Sequence, residues 1–288
     1  IEEYQDKTRA FLKIQDGCNR FCAYCIIPYS RGSVCSKEPR QVLDEINKLS
    51  EHGFKEIILS GIHTASYGLD LDGEITLVDL LEEIEKLDGI ERVRIGSIEP
   101  AFFTPEVIEK IKNMKKLCPQ FHLSLQSGCN ATLKRMNRRY TAEEYERIVN
   151  ILRENIKDVS ITTDVIVGFP GETEENFLDT LNLCKEVGYD SAFTFIYSRR
   201  NHTPADRMEN QVPDDVKHER FDRLVDVINK GVINGNKVYE GRTVEVLVEG
   251  PSKNDETKLM GRTRNGRLVN FPGDSSMIGK LVNVHINR

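Results

Sequence analysis

The chain has 288 residues, with 40 Lys+Arg against 46 Asp+Glu and a formal net charge of −6. That length suits one large domain plus a small one, and 39% hydrophobic with 30% charged residues suits a packed core under a solvated surface. No apolar run approaches the ~20 residues that span a bilayer and no charged-then-apolar leader opens the chain, which argues against a membrane protein or an exported disulfide scaffold and for a cytoplasmic one.

Strand-like and helix-like runs alternate through the first 205 residues. Residues 10–15 (AFLKIQ) read as a strand, and Pro39 to Leu49 as a helix with Val42, Leu43, Ile46 and Leu49 at helical spacing. Phe54 to Ser60 is a strand of the buried type, followed by a loop containing Gly61. Leu77 to Leu87 is helical, Arg92 to Ile98 is a strand, and Thr104 caps a helix that starts at Pro105. Phe121 to Gln126, Val159 to Gly168 and Ser191 to Tyr197 are further strands, separated by helices beginning at Thr141 and Thr173. Six such steps with right-handed crossovers curve a parallel sheet into a full or partial barrel.

Pro213 to about Lys230 reads as one more helix with no strand to follow it, a connector. From Gly241 the pattern changes to short strands broken by Gly and Pro: TVEVLVEG, KLMGRTR, RLVNFPG and LVNVHI. That spacing predicts a small antiparallel β-barrel, too small to be robust by itself, so it should lean on the larger domain. The expected organisation is an α/β partial barrel over 1–205, a helical connector over 206–238 and an all-β barrel over 239–288.

Three of the seven cysteines lie within eight residues, in Gly17-Cys18-Asn19-Arg20-Phe21-Cys22-Ala23-Tyr24-Cys25 directly after the first strand. Three thiolates in one tight loop can ligate three corners of a cubane iron–sulfur cluster and leave the fourth iron open. A zinc knuckle is the alternative, but zinc usually takes a fourth protein ligand and no His stands nearby. In a β/α barrel, chemistry sits where the strands end, and this loop leaves the first strand there. Cys35, Cys118, Cys129 and Cys184 are scattered and read as incidental.

The cysteine motif after the first strand of a six-step β/α fold resembles the radical S-adenosylmethionine enzymes. DGCNRFCAYCIIPYSRG, SLQSG, LKRMNRRYT, TTDVIVGFPGETEENF and YSRRNHTPADRM resemble the methylthiotransferase branch of that superfamily. The last fifty residues are similar to the OB-like TRAM barrel that follows the radical-SAM barrel in that family. The resemblance implies one [4Fe-4S] cluster on Cys18, Cys22 and Cys25, with S-adenosylmethionine chelating its open iron. Reductive cleavage of that cofactor would give a 5′-deoxyadenosyl radical, and a methylthio group would replace an inert hydrogen. Side-chain acid–base chemistry cannot do this, so a cofactor must.

Matching strand ends suggest the cofactor contacts. Tyr24 would lie near the adenine, Ser60 and Gly61 near the methionine amino group, and Ser124 and Gln126 near the ribose. Asp164 and the turn from Gly168 to Glu172 would approach the adenine, and Arg138 the methionine carboxylate. His63 could face the same pocket.

Partners implied by the resemblance are tRNA at its anticodon stem-loop and an electron donor such as flavodoxin or ferredoxin, with no membrane. Lys134-Arg135-Met136-Asn137-Arg138-Arg139-Tyr140, Arg199, Arg200 and the tail cations Lys253, Lys258, Arg262, Arg264 and Arg267 are candidates for phosphate contact; a solvated charged face is the plain alternative for the first run. Substrates in the family are adenosine next to the anticodon, bearing threonylcarbamoyl or isopentenyl on N6, or a ribosomal-protein aspartate. Residues 1 to about 185 are more similar to the threonylcarbamoyl branch, and those from about Tyr189 to the isopentenyl branch. The strand ends that carry the chemistry lie mostly in the first part, so the expectation leans to threonylcarbamoyladenosine. Family members also carry an N-terminal domain with an auxiliary cluster. With only seventeen residues before Cys18, the expectation is a single cluster here and no completed sulfur insertion.

Overall fold

The computed structural model describes residues 8–287; residues 1–7 and Arg288, at the outer limits of the expected barrel and tail, lie outside it. In chain order the elements are β1 (Arg9–Lys13), β2 (Gln15–Asp16), α1 (Ile27–Arg31), β3 (Cys35–Ser36), α2 (Pro39–Glu51), β4 (Glu56–Ser60), α3 (Leu77–Lys86) and β5 (Arg92–Ile95). Then follow α4 (Pro105–Ile111), β6 (Gln120–His122), α5 (Asn130–Arg135), α6 (Ala142–Asn155), β7 (Ser160–Val167), α7 (Glu174–Val187), β8 (Ser191–Ile196) and α8 (Asp214–Lys237). Four strands close the chain: β9 (Thr243–Pro251), β10 (Lys258–Thr263), β11 (Leu268–Pro272) and β12 (Leu281–His285).

Parallel pairing runs β1-β4-β5 and β6-β7-β8. Parallel bridges Val93–Leu117 and Ile98–Leu123 join the two halves into one curved six-stranded sheet. The outward side chains of these strands, among them Leu12, Ile57, Val93, Phe121 and Val165, pack under the helices to form the main core. Thr76, Thr141 and Thr173 start α3, α6 and α7 with capping boxes, and Thr104 caps α4 ahead of Pro105, as its sequence suggests. Two expected strands are shorter than their hydrophobic runs. β5 stops at Ile95, and β6 covers only Gln120–His122 of the stretch expected to reach Gln126. The chain splays after Gly96, and Gln126 takes a left-handed φ of 66°, so only single bridges at Ile98 and Gln126 continue the pairing.

The helix expected as a connector also closes the barrel wall. α8 packs against β8 and α7, and its Leu224 and Ile228 belong to the main core. The tail forms the antiparallel sheet β11-β10-β9-β12, curled around Val246, Val248, Leu259 and Phe271.

This sheet docks on the N-terminal end of the barrel through charge. Glu56, on the lumen side of β4, is fully buried and takes Arg94 Nε at 2.7 Å. Arg92, also fully buried, donates to the Arg262 carbonyl at 2.9 Å and to Glu245 at 2.8 Å. Arg94 donates to the Thr263 carbonyl at 2.9 Å, and Glu249 is 3.1 Å from Arg9 and 3.0 Å from Arg262. Each cation of this floor has a carboxylate or carbonyl partner, as burial demands. Among the described residues no helix is long and apolar enough to cross a membrane.

Candidate cluster and cofactor site

The loop from Gly17 to Ile26 leaves the sheet at the end of the barrel opposite the docked tail. Gly17 has φ +70°, and a Cβ there would stand 1.9 Å from the Ser33 carbonyl oxygen, so the turn into the cysteines admits no side chain. The loop is tied down from several sides. Cys18 N–H donates to Gly32 O at 3.1 Å, Ala23 N–H to Met136 O at 2.9 Å, and Ala205 N–H to Ala23 O at 2.9 Å. The Asn137 amide donates to the carbonyls of Arg20 and Phe21.

All three cysteines are free thiols; Cys22 is buried and Cys18 and Cys25 are half-buried. Burial pushes the Cys18 and Cys25 thiols up, and the neighbouring cysteines add to the effect. Two donors point at sulfur: Arg20 N–H at Cys18 Sγ and Arg138 Nη1 at Cys22 Sγ, each at 3.4 Å. Among the described residues no three His, Cys, Asp or Glu side chains converge as the ligands of a single metal ion do. A cubane spreads its thiolates over separate iron atoms, so the donor set fits a cluster with one open corner.

A carboxylate that the sequence reading left without a role organises the mouth. Glu99, within the IGSIEP segment, is buried and receives Arg20 at 2.7 Å, His63 Nε2 at 3.1 Å and Arg138 at 3.4 Å. Burial by itself would raise the Glu99 carboxyl, but the His63 hydrogen bond and the Arg138 and Arg20 charges outweigh it and hold it below the ordinary carboxylate range. His63 thus does face the site, with its Nδ1 2.5 Å from Ser66 Oγ. Gln15 is the other residue missed. Its buried amide donates to Gly17 O at 2.8 Å and accepts His63 N–H at 2.9 Å, locking the cysteine loop to the loop after β4. A polar residue ending an apolar strand beside the cysteines was the available signal.

The expected cofactor contacts line the same mouth. Tyr24 is half-buried against Phe169, their rings meeting edge-on at 6.4 Å, and burial raises its hydroxyl well above the ordinary value. Ser60 ends β4 on the lumen side, and Gly61 begins the loop that Gln15 locks. Ser124 O accepts Tyr140 OH at 2.6 Å and Arg138 Nη2 at 3.4 Å. Gln126 bridges to β7 through its backbone, donating to Asp164 O and accepting Ile166 N–H. The Asp164 side chain is 3.1 Å from His122 Nε2, one alternation down the lumen from Ile166. Gly168, at φ +72°, donates to Glu172 Oε1 at 2.9 Å; Lys217 Cγ lies 2.3 Å from where a Cβ would stand. Burial raises the Glu172 carboxyl although Gly168 N–H and Arg220 pull the other way; it clamps its own turn.

Several basic residues do other work than phosphate contact. In the run from Lys134 to Tyr140, Met136 is buried under the cysteine loop and Tyr140 is buried with its hydroxyl on backbone carbonyls. Arg135 reaches Thr132 and Asn176, leaving Lys134 and Arg139 exposed. Arg199 pairs with Asp206. In the tail, Arg264 and Arg267 turn towards the barrel, to the Lys115 carbonyl and Asp190, while Arg262 pairs within the tail sheet with Glu249, which also meets Arg9 of the barrel. They hold the two domains together, because these carboxylates and carbonyls lie on the docked face.

Comparison with known proteins agrees with this geometry. The radical SAM superfamily model matches residues 12–184, and the TRAM domain model matches residues 237–288. The chain is 57% identical over 280 residues to the tRNA-2-methylthio-N(6)-dimethylallyladenosine synthase of Clostridium perfringens, covering 97% of this chain and 63% of that protein. It is 54% identical over 278 residues to the protein of the same name from Clostridium beijerinckii, covering 96% and 61%. The chain therefore spans just under two thirds of the length of these relatives. Coproporphyrinogen III oxidase from Escherichia coli shares the fold, with TM-score 0.58 and 11% identity over 91% of this chain and 68% of that one. So does the radical S-adenosylmethionine methyltransferase TsrM from Kitasatospora setae, at TM-score 0.58 and 18% identity over 70% of this chain and 38% of that one. With the superfamily model covering the barrel from the cysteine loop to α7, the chain belongs to the radical SAM superfamily.

Proposed function

We propose that this chain carries the radical-generating and RNA-binding parts of a tRNA methylthiotransferase acting on N6-dimethylallyladenosine beside the anticodon. The observation that carries the reading is the placement of C-x3-C-x2-C at the mouth of an open barrel whose other end is closed by a docked TRAM sheet. The clostridial relatives are named for the dimethylallyl substrate, and this favours it over the threonylcarbamoyl one towards which the first two thirds of the sequence lean. The relatives' names also favour RNA over a ribosomal protein as the substrate, and a cytoplasmic setting fits that reading.

Cys18, Cys22 and Cys25 would hold the [4Fe-4S] cluster, which supplies the single electron for reductive cleavage of S-adenosylmethionine. The chain's own residues do the rest by position. Gln15 and Asn137 hold the cysteine loop rigid from either side. Glu99 gathers Arg20, His63 and Arg138 at the rim, leaving an excess of positive charge beside the site where a carboxylate-bearing cofactor would bind. Ser60, Ser124, Gln126 and the Gly168–Glu172 turn offer hydrogen-bonding groups around that position, and Tyr24 and Phe169 an apolar wall. Flavodoxin or ferredoxin would deliver the electron.

The test is anaerobic reconstitution followed by incubation with S-adenosylmethionine, dithionite and tRNA carrying N6-dimethylallyladenosine. Release of 5′-deoxyadenosine, followed by mass spectrometry and stimulated by that tRNA, supports the reading. Stimulation by threonylcarbamoyl-modified tRNA alone would reassign the substrate, and a colourless protein holding one zinc would end the enzymatic account. Iron analysis should give about four irons per chain, as one cubane requires.

A further inference from the structure

The barrel is open between β1 and β8, each of which pairs with a single neighbour among the described residues. Along β8 the alternation sends Ala192 and Ile196 to the helix layer, where they pack on the main core. Phe193 and Phe195 therefore face the lumen, and they are 60% and 50% exposed. A barrel of this size ordinarily fills its interior with such side chains. Two phenyl rings left open on an inner wall form an apolar surface that calls for a ligand.

The rings' neighbours define that ligand. Phe195 is the register partner of Ile166, which packs under the cysteine loop with Ala23 and Phe169. Phe193 is the partner of Asp164, one alternation or roughly 7 Å further down. Its ring lies 5.9 Å from that of His122, whose Nδ1 is held at 3.0 Å by Thr162 and whose Nε2 lies 3.1 Å from Asp164. Below Phe193 the lumen widens into a cavity of about 900 Å³, lined by polar side chains such as Gln120, Asn265 and Asn270 and reaching the apolar tail residues Val269 and Phe271. The arginines at its floor are matched by Glu56, Glu249 and Asp190, so the cavity offers no bare cation to a phosphate. A flat, uncharged group with an apolar face and a polar edge suits this surface, and a nucleobase is such a group.

We propose that Phe193 and Phe195 form a stacking wall that receives the unstacked N6-substituted purine of the RNA, with His122, beside Asp164, at its polar edge and the cavity below, where Val269 and Phe271 lie, taking the N6 substituent. An enzyme that acts on a base carbon must draw the base away from its neighbours, and stacking on aromatic side chains offsets that cost. The inference rests on the RNA-modifying reading above.

The test compares two end-labelled anticodon stem-loop hairpins, one with N6-dimethylallyladenosine and one with adenosine at the target position, by fluorescence anisotropy. Wild-type protein should bind the modified hairpin more tightly. Phe193→Ala and Phe195→Ala should each weaken that binding by roughly 5- to 100-fold, the range of one lost base–aromatic stack. Binding of the unmodified hairpin should change much less. Phe193→Tyr should retain discrimination, and Leu69→Ala, at a more exposed apolar residue in the loop after β4, should behave as wild type. Thermal unfolding of each variant checks the fold. No preference in the wild type, unchanged affinity in both alanine variants, or equal loss on both hairpins would overturn the wall. Discrimination without any release of 5′-deoxyadenosine from the reconstituted protein would instead sink the reaction assigned above and leave the wall standing.

Discussion

The two ends of the barrel bury polar groups in opposite ways. At the floor, Glu56 is held by Arg92 and Arg94, and those two arginines reach across to Glu245 and the carbonyls of Arg262 and Thr263, so each buried charge is answered within the barrel or by the second domain. At the mouth, two of the three thiols accept N–H donors, from Arg20 and Arg138, and one carboxylate is shared by Arg20, His63 and Arg138. A network whose valences close on themselves is structural. One that leaves sulfur lone pairs and surplus cations facing an opening is prepared for something that binds there.

The contrast can be broken most sharply at the cysteines. Cys22→Ala should abolish retention of iron and sulfide and with it all cofactor cleavage. Cys184→Ala should spare both, since that thiol is buried in the helix layer with its ionisation pushed up to about 12 by burial. Iron content and 5′-deoxyadenosine release after reconstitution measure both variants, and equal losses would mean that the ligands are misassigned.

Next comes the floor. Glu56→Ala leaves Arg92 and Arg94 buried beside a missing carboxylate and should cost about 3–5 kcal/mol of stability in urea unfolding. A loss under about 1 kcal/mol would show that the floor is not the closed network described.

A pH series separates the two ends further. The Glu99 carboxyl is held below its unfolded value, near 4.3 for a free glutamate. Its contribution is complete above that value and is lost as pH falls through the lowered one. The stability difference between wild type and Glu99→Gln should therefore shrink on acidification from pH 6 towards 3. A difference that stays constant over that range would show that the carboxylate charge does not organise the mouth.

The smallest effect concerns RNA. Lys253→Ala should reduce the slope of log affinity against log salt by about one if Lys253 meets a phosphate, whereas Arg262→Ala should leave it unchanged because Arg262 is committed to Glu249. Equal changes in both slopes would return Arg262 to the RNA-binding surface.

Much of this was written locally. Helical spacing, the Thr caps and the buried-type strands identified six β/α steps, and their observed ends differ mainly where Gly96 and Gln126 break a ladder that hydrophobicity alone continues. The cysteine spacing singled out the candidate cluster loop without help from tertiary contacts. Glu99 was not legible in the same way. An acidic residue after a strand resembles any surface carboxylate until the fold brings Arg20, His63 and Arg138 around it from 79, 36 and 39 positions away in sequence. The tail arginines misled for the converse reason, since a cation's sequence neighbours do not reveal which face of a sheet will be covered.

What the amino-acid sequence determined by itself is the order of the elements, the clustering of three thiols in the C-x3-C-x2-C loop and the change from a β/α to an all-β pattern near Gly241, because each depends on spacings of a few residues. Tertiary structure alone decided which charges became a domain joint, which carboxylate governs the mouth and where Phe193 and Phe195 stand open. Those outcomes depend on curvature closing a sheet around a lumen and on a second domain covering one end of it, and neither distance is encoded in any short stretch of chain.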